Sequence, residues 1–228
     1  MRSIKFVALV VVSLLCTYKM NAQISIGGKI GANFADTKVN GVLGTLAPEQ
    51  KVYTGFTAGI MAEIPMTSAI SFRPELNFIQ KGFQIRETFD VSVLGIDLPL
   101  GGSARTRLNY IEMPLLIKYS IGSEQAKLYA IAGPNVAYAA SAELRPRATF
   151  IVDFNLPHIP INLDNDVYDR WEISGVVGIG GEVKAGHGKI FMDGRYNLGF
   201  TSMLENPIVN LDIKNQGFNI SAGYAYTF

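Results

Sequence analysis

The last twelve residues, GFNISAGYAYTF, put Phe218, Ile220, Ala222, Tyr224, Tyr226 and Phe228 on one side of an extended chain. Asn219, Ser221, Gly223, Ala225 and Thr227 fall on the other. A side-chain period of two marks a strand. Chain ends ordinarily fray, because their few contacts do not offset the entropy of ordering them. Alternation kept up to a terminal aromatic therefore predicts a strand that is paired to its end. The same period returns in ISIGGKIGANF (24–34), YTGFTAGIMAEIP (53–65), ISFRPELNFIQK (70–81) and YIEMPLLIKYS (110–120). It returns again in KLYAIAGPNVAY (127–138), WEISGVVGIGGEV (171–183) and KIFMDGRYNLGF (189–200), which makes eight predicted strands.

The connections carry as much information as the strands. Strands two and three are joined around MTS, four and five by IGSEQ, six and seven by AGHG. The remaining connections are long, at roughly 35–52, 83–106, 140–169 and 201–216. Short and long alternate strictly, and the even strand number leaves both termini on the short-turn side. A transmembrane barrel of the outer-membrane type has this asymmetry, with short periplasmic turns and longer outer loops. Strands of about 9–11 residues tilted near 40° cover an apolar band of about 25 Å, and these segments are long enough.

Energetics choose the outward face. Arg or Lys facing lipid at the midplane costs about 2–4 kcal/mol. Lys29, Glu63, Arg73, Glu75, Glu112, Lys118, Glu182, Asp193 and Arg195 all lie on the polar faces. Those faces are expected to point into the barrel, where five acids meet four bases, leaving the apolar faces to lipid. A soluble barrel would invert this arrangement. Tyr119, Tyr138, Trp171, Tyr196, Tyr224, Tyr226 and Phe228 sit near strand ends, where the aromatic girdles of a membrane barrel belong. The expected fold is thus all-β, an eight-stranded antiparallel up-and-down transmembrane barrel. Its last strand pairs with its first so that no edge is left open.

The N-terminus sharpens the compartment. MRSIKFVALVVVSLLCTYKMNAQ has Arg2 and Lys5, then an apolar run from about Phe6 to Cys16, then a polar stretch closing on small residues. This is the pattern of a secretory signal peptide over 1–22, followed by a barrel domain over 23–228. The apolar run is too short for a spanning helix, which needs about 20 residues. Losing 1–22 removes Arg2, Lys5 and Lys19 and no acid, so 20 basic and 19 acidic residues become 17 and 19, a net charge of −2. No basic excess suggests nucleic acid. The single cysteine, Cys16, leaves with the signal, so disulfides play no part in stability.

Several stretches resemble the outer-membrane β-barrel proteins of Bacteroidota known as PorT-like or porin-family barrels. They are IGGKIGANFAD (26–36), FRPELNFIQKG (72–82), YIEMPLLIKYS (110–120), YAIAGPNVAY (129–138) and RYNLGF (195–200), with the C-terminal aromatic. The resemblance implies an outer-membrane protein inserted by the barrel-assembly machinery, with Phe228 as part of the signal read during insertion. One branch of that family assists the type IX secretion system. These motifs describe barrel geometry, and none singles out that branch.

Candidate chemistry is sparse. His158 falls in the third long connection and His187 in a short turn, at opposite ends of the barrel, so they do not cooperate. No Ser, His and acid set converges on one rim, and the expectation is a non-enzymatic protein without a cofactor. GIGGE (178–182) lies in mid-strand with no helix after it, which fits barrel curvature rather than a phosphate loop. Asp164, Asp166 and Asp169 form the nearest approach to a cation site, but lack the Gly and closing Glu of an EF-hand loop. An interior of eight strands is just wide enough for side chains to fill, so the paired charges are expected to plug the lumen rather than line a pore. FDVSVLGIDLPL (89–100) and ATFIVDFNLPHIPINL (148–163) are unusually apolar for exposed loops. They predict either strand extensions beyond the membrane or a patch for a partner within 83–106 and 140–169. The functional expectation is a structural or binding barrel in outer-membrane lipid. Its alternatives are an accessory of secretion machinery and, more distantly, a narrow porin or a soluble secreted ligand-binding barrel.

Overall fold

The computed structural model describes residues 23–40, 50–51, 53–93, 96–149, 153–155, 159–161, 170–201 and 212–228. Eight long strands form the wall: β1 (Ser25–Asn40), β2 (Tyr53–Pro65), β3 (Ile70–Val93) and β4 (Ile96–Gly122). They continue as β5 (Ala126–Thr149), β6 (Trp171–Ala185), β7 (Gly188–Gly199) and β8 (Asp212–Thr227). Each pairs antiparallel with its chain neighbours, and β8 closes on β1 from Ser25↔Thr227 to Asn40↔Asp212. Beyond the last ladder pair, the Phe228 amide donates to the Ile24 carbonyl at 3.0 Å. The terminal strand therefore has no loose end, as its alternation predicts.

The short turns are built by small polar side chains and glycine. Between β2 and β3, Thr67 Oγ1 accepts from the Ala69 and Ile70 amides at 3.2 and 2.9 Å. Between β4 and β5, Gly122 has φ 137°, and between β6 and β7 Gly186 has φ 61°, conformations that side-chain-bearing residues rarely adopt.

At the opposite end the strands run further than the alternation implies. The predicted loop 83–106 is a hairpin in register from Phe83↔Thr106 to Val93↔Ile96. Its apolar residues keep the period of two, so the chain pairs instead of looping, and the first of the two readings holds for 89–100. β5 likewise continues to Thr149, flanked by Asp153–Asn155 and Ile159–Ile161, which pair with it. A register shift at Asn109/Tyr110 leaves Ala140 unpaired between Ala139 and Ser141. This bulge is why Ala139 and Ala142 are both buried although they are three residues apart.

The wall is apolar outside, with Leu128, Ile30 and Ile179 at 66%, 65% and 72% exposure. The interior is not only polar. Met61, Leu116, Tyr129, Ile131, Val176 and Phe191 form one buried cluster, and Ile79, Leu108 and Tyr110 lead a second. Glycines make the room. A Cβ at Gly180 would lie 2.4 Å from Tyr129 Cζ, and one at Gly223 would lie 2.6 Å from Phe191 Cζ. GIGGE is thus a recess for an interior tyrosine.

Candidate functional site

Inward alternation on eight strands brings charges from distant positions onto one axis, in three layers. At the turn end, Lys118 Nζ lies 3.0 Å from Glu63 and 2.5 Å from Glu182. Lys189 Nζ lies 2.6 and 3.2 Å from the same two carboxylates. Two lysines and two glutamates therefore close a four-membered ring. It floors a polar mouth of about 550 Å³ lined by Ser25, Lys184 and His187 among others.

The middle layer is drier and unequal. Glu75 accepts from Lys29 Nζ at 2.6 Å, from Asn77 Nδ2 at 3.1 Å, and from Arg195 through a two-pronged contact at 2.7 and 2.9 Å. Asp193 accepts from Arg195, from Tyr129 Oη at 3.0 Å and from Ser221 Oγ at 2.9 Å. Arg73 approaches both acids, Nε at 2.9 Å from Glu75 and Nη2 at 3.4 Å from Asp193. Its Nη1 has no protein partner among the described residues. The guanidinium centre instead stands 4.6 Å from the Phe191 ring centroid and 5.8 Å from that of Tyr129. Ring faces carry negative potential, so these aromatics serve as partial counter-charge for a fully buried cation.

Nearer the long hairpins, Lys81 bridges Glu112 at 2.8 Å and Glu172 at 2.7 Å, with its ammonium 4.7 Å from the Tyr110 centroid. All nine charges read from the sequence as interior are buried. Lys81, Glu172 and Lys189 join them, and the ion-paired groups of the three layers then balance at six cations and six anions among the described residues. A gap of about 10 Å³ lies between the upper two layers, lined by Lys29, Asn77, Glu112 and Arg195. That is about the space of one water.

The aromatics divide into two rings on the outer wall. Tyr119, Tyr224, Tyr226 and Phe228 lie at the turn end, with Tyr226 4.9 Å from Phe228 and 6.2 Å from His187 between ring centroids. Tyr138, Trp171 and Tyr196 lie towards the hairpins, Tyr138 and Trp171 5.0 Å apart. Arg170 Nη1 donates to Tyr138 Oη at 3.0 Å. Asp164, Asp166, Asp169 and His158 lie outside the described residues, as does the expected signal peptide. Among the described residues no group of three or more His, Cys, Asp or Glu side chains is placed to hold a metal ion.

The sequence profile of the family described as "Outer membrane protein beta-barrel domain" matches residues 19–205. No curated protein matches the chain. Among solved structures, the outer membrane protein OprG from Pseudomonas aeruginosa is 12% identical, covers 91% of this chain and 96% of its own, and superposes with a TM-score of 0.50. Ail, the attachment invasion locus protein of Yersinia pestis, is 18% identical, with 91% and 100% coverage and a TM-score of 0.40. The outer membrane protease OmpT from Escherichia coli is 14% identical, with 91% and 96% coverage and a TM-score of 0.40. At such identities the likeness extends to the fold alone.

Proposed function

The chain belongs to the outer membrane protein beta-barrel domain family, and from that membership we propose a non-conducting, non-enzymatic barrel whose work is done by its long-hairpin end. The protein resides in the outer membrane; in this reading both mature termini and the short turns face the periplasm, and the hairpins face outward. The observation that carries the proposal is the filled lumen: twelve mutually neutralising charges pack its axis, with a gap of about one water between the upper two layers, which supports a closed barrel. Reconstitution into planar bilayers is expected to give no stepwise current under applied voltage. Discrete, reproducible openings would sink the closed-barrel reading in favour of a narrow porin.

A second reading is an accessory subunit of a secretion machinery, of the PorT-like kind the sequence resembles. It is favoured by the β3–β4 hairpin, whose paired tip carries Phe89, Val91, Val93, Ile96, Leu98 and Leu100. So apolar a projecting ribbon suits a protein partner. A deletion strain with an intact secretome and intact envelope would remove this reading.

A further inference from the structure

Just above the Tyr138–Trp171 pair, the outer face of β4 and β5 changes from apolar to cationic. Arg107 stands opposite Glu143 in the register, four residues beyond Ile111, which pairs with Tyr138. At about 3.3 Å per residue and a tilt near 40°, that is roughly 10 Å above the aromatic ring, the height of lipid headgroups. Glu143 Oε2 accepts from Arg107 Nη2 at 3.0 Å and from Arg145 Nη2 at 3.1 Å, so one carboxylate oxygen serves two guanidinium groups. Arg107 Nε is buried with no hydrogen-bond partner among the described residues. Among the described side chains, two arginines share this single acid, and the pair is short of anion.

We propose that the Arg107–Arg145 pair is a binding surface for the phosphorylated headgroup of a glycolipid in the leaflet around the hairpin end. A phosphate oxygen suits the planar fork of arginine, which donates two parallel hydrogen bonds. The acyl chains of the same lipid continue down the apolar wall, where Ile111, Met113 and Leu115 are exposed on β4. Glu143 then acts as a built-in competitor that holds the two guanidinium groups in place while no headgroup is bound.

The full-length protein, purified in detergent, is incubated with lipid A that bears its phosphates and with enzymatically dephosphorylated lipid A. Lipid retained per barrel is counted by mass spectrometry of the intact complex. We expect roughly tenfold preference for the phosphorylated form, lost in Arg107→Gln/Arg145→Gln, as the removal of charge-assisted hydrogen bonds implies. Glu143→Gln is expected to raise retention. Equal retention of the two lipids, or no loss in the double variant, overturns the proposal. Complete displacement by inorganic phosphate overturns the lipid as source. The heat-dependent gel shift of each variant checks that the barrel has closed. The inference rests on the outward placement of the hairpins, which is tested separately. The sequence after residue 22 has no cysteine, so Ile159→Cys and Glu124→Cys can be probed on whole cells with a membrane-impermeant maleimide. Label at Glu124→Cys alone would sink the orientation while leaving lipid binding to be judged on its own.

Discussion

The middle of the lumen and its mouth are both ionic, yet they solve the burial of charge differently. In the mouth, two lysines and two glutamates match one to one, and Lys189 keeps 15% of its side chain in contact with water. In the middle, three cations share Glu75 and Asp193 with almost no solvent. The layer is held by geometry: a two-pronged Arg195 on Glu75, hydroxyl donation from Tyr129 and Ser221 to Asp193, and aromatic faces beside Arg73. Where water is near, charge count is enough; where it is not, every direction around each ion must be filled.

That contrast can be broken most forcefully at Glu75. Glu75→Gln would leave three buried cations with Asp193 alone. Removing one partner of a buried ionic network costs about 3–5 kcal/mol, and denaturant unfolding of the barrel in lipid should register a loss of that size. A cost below about 1 kcal/mol would mean that water or an ion enters the middle layer freely. In the mouth, the two lysines should separate. Lys118 is fully buried, and Lys118→Met should cost about 3 kcal/mol. Lys189→Met, at the wetter position, should cost about 1 kcal/mol or less; equal costs would show that the mouth is as dry as the middle.

The smallest effect is expected outside the membrane. Hydrogen bonding from Arg145, helped by the nearby Arg107 charge, holds the Glu143 carboxyl below its ordinary 4.5. A group lowered in this way stabilises the folded state above its ordinary value, and the contribution fades as pH falls through the lowered one. The temperature of the gel-shift transition should thus drop slightly more in wild type than in Glu143→Gln as pH falls below about 4.5. Identical profiles would show that the Arg107–Glu143–Arg145 contact contributes nothing to stability.

The strands, their inward faces and nine of the interior charges were legible because a membrane wall punishes a misplaced charge heavily, so the alternation is nearly unbroken there. Legibility failed where that penalty ends. Beyond the membrane the β3–β4 ribbon is free to be apolar, and a projecting hairpin looks like a long loop when no turn signal stronger than Leu94–Gly95 marks its tip. Lys81 and Lys189 sit at the limits of the alternating stretches, so neither stood out as interior. Tyr129 and Phe191 were hidden for another reason. With apolar neighbours on both sides, as in KLYAIAG and KIFM, period-two reading has no contrast to work with. Their place depends on glycines across the wall, a pairing that only the register reveals. Grouping of the charges into layers was equally out of reach, since partners such as Glu75 and Arg195 are 120 residues apart.

The ladder between β1 and β8 joins residues up to 202 apart in the chain. Contacts so distant must wait for nearly all of the polypeptide to exist, and non-local pairing of this kind is slow to form. A molecule cut short by premature termination lacks the strand that would shut it, and keeps two raw hydrogen-bonding borders that a hydrocarbon environment does not tolerate. Completion of the cylinder therefore depends on the last strand: a chain without β8 leaves β1 with an open edge.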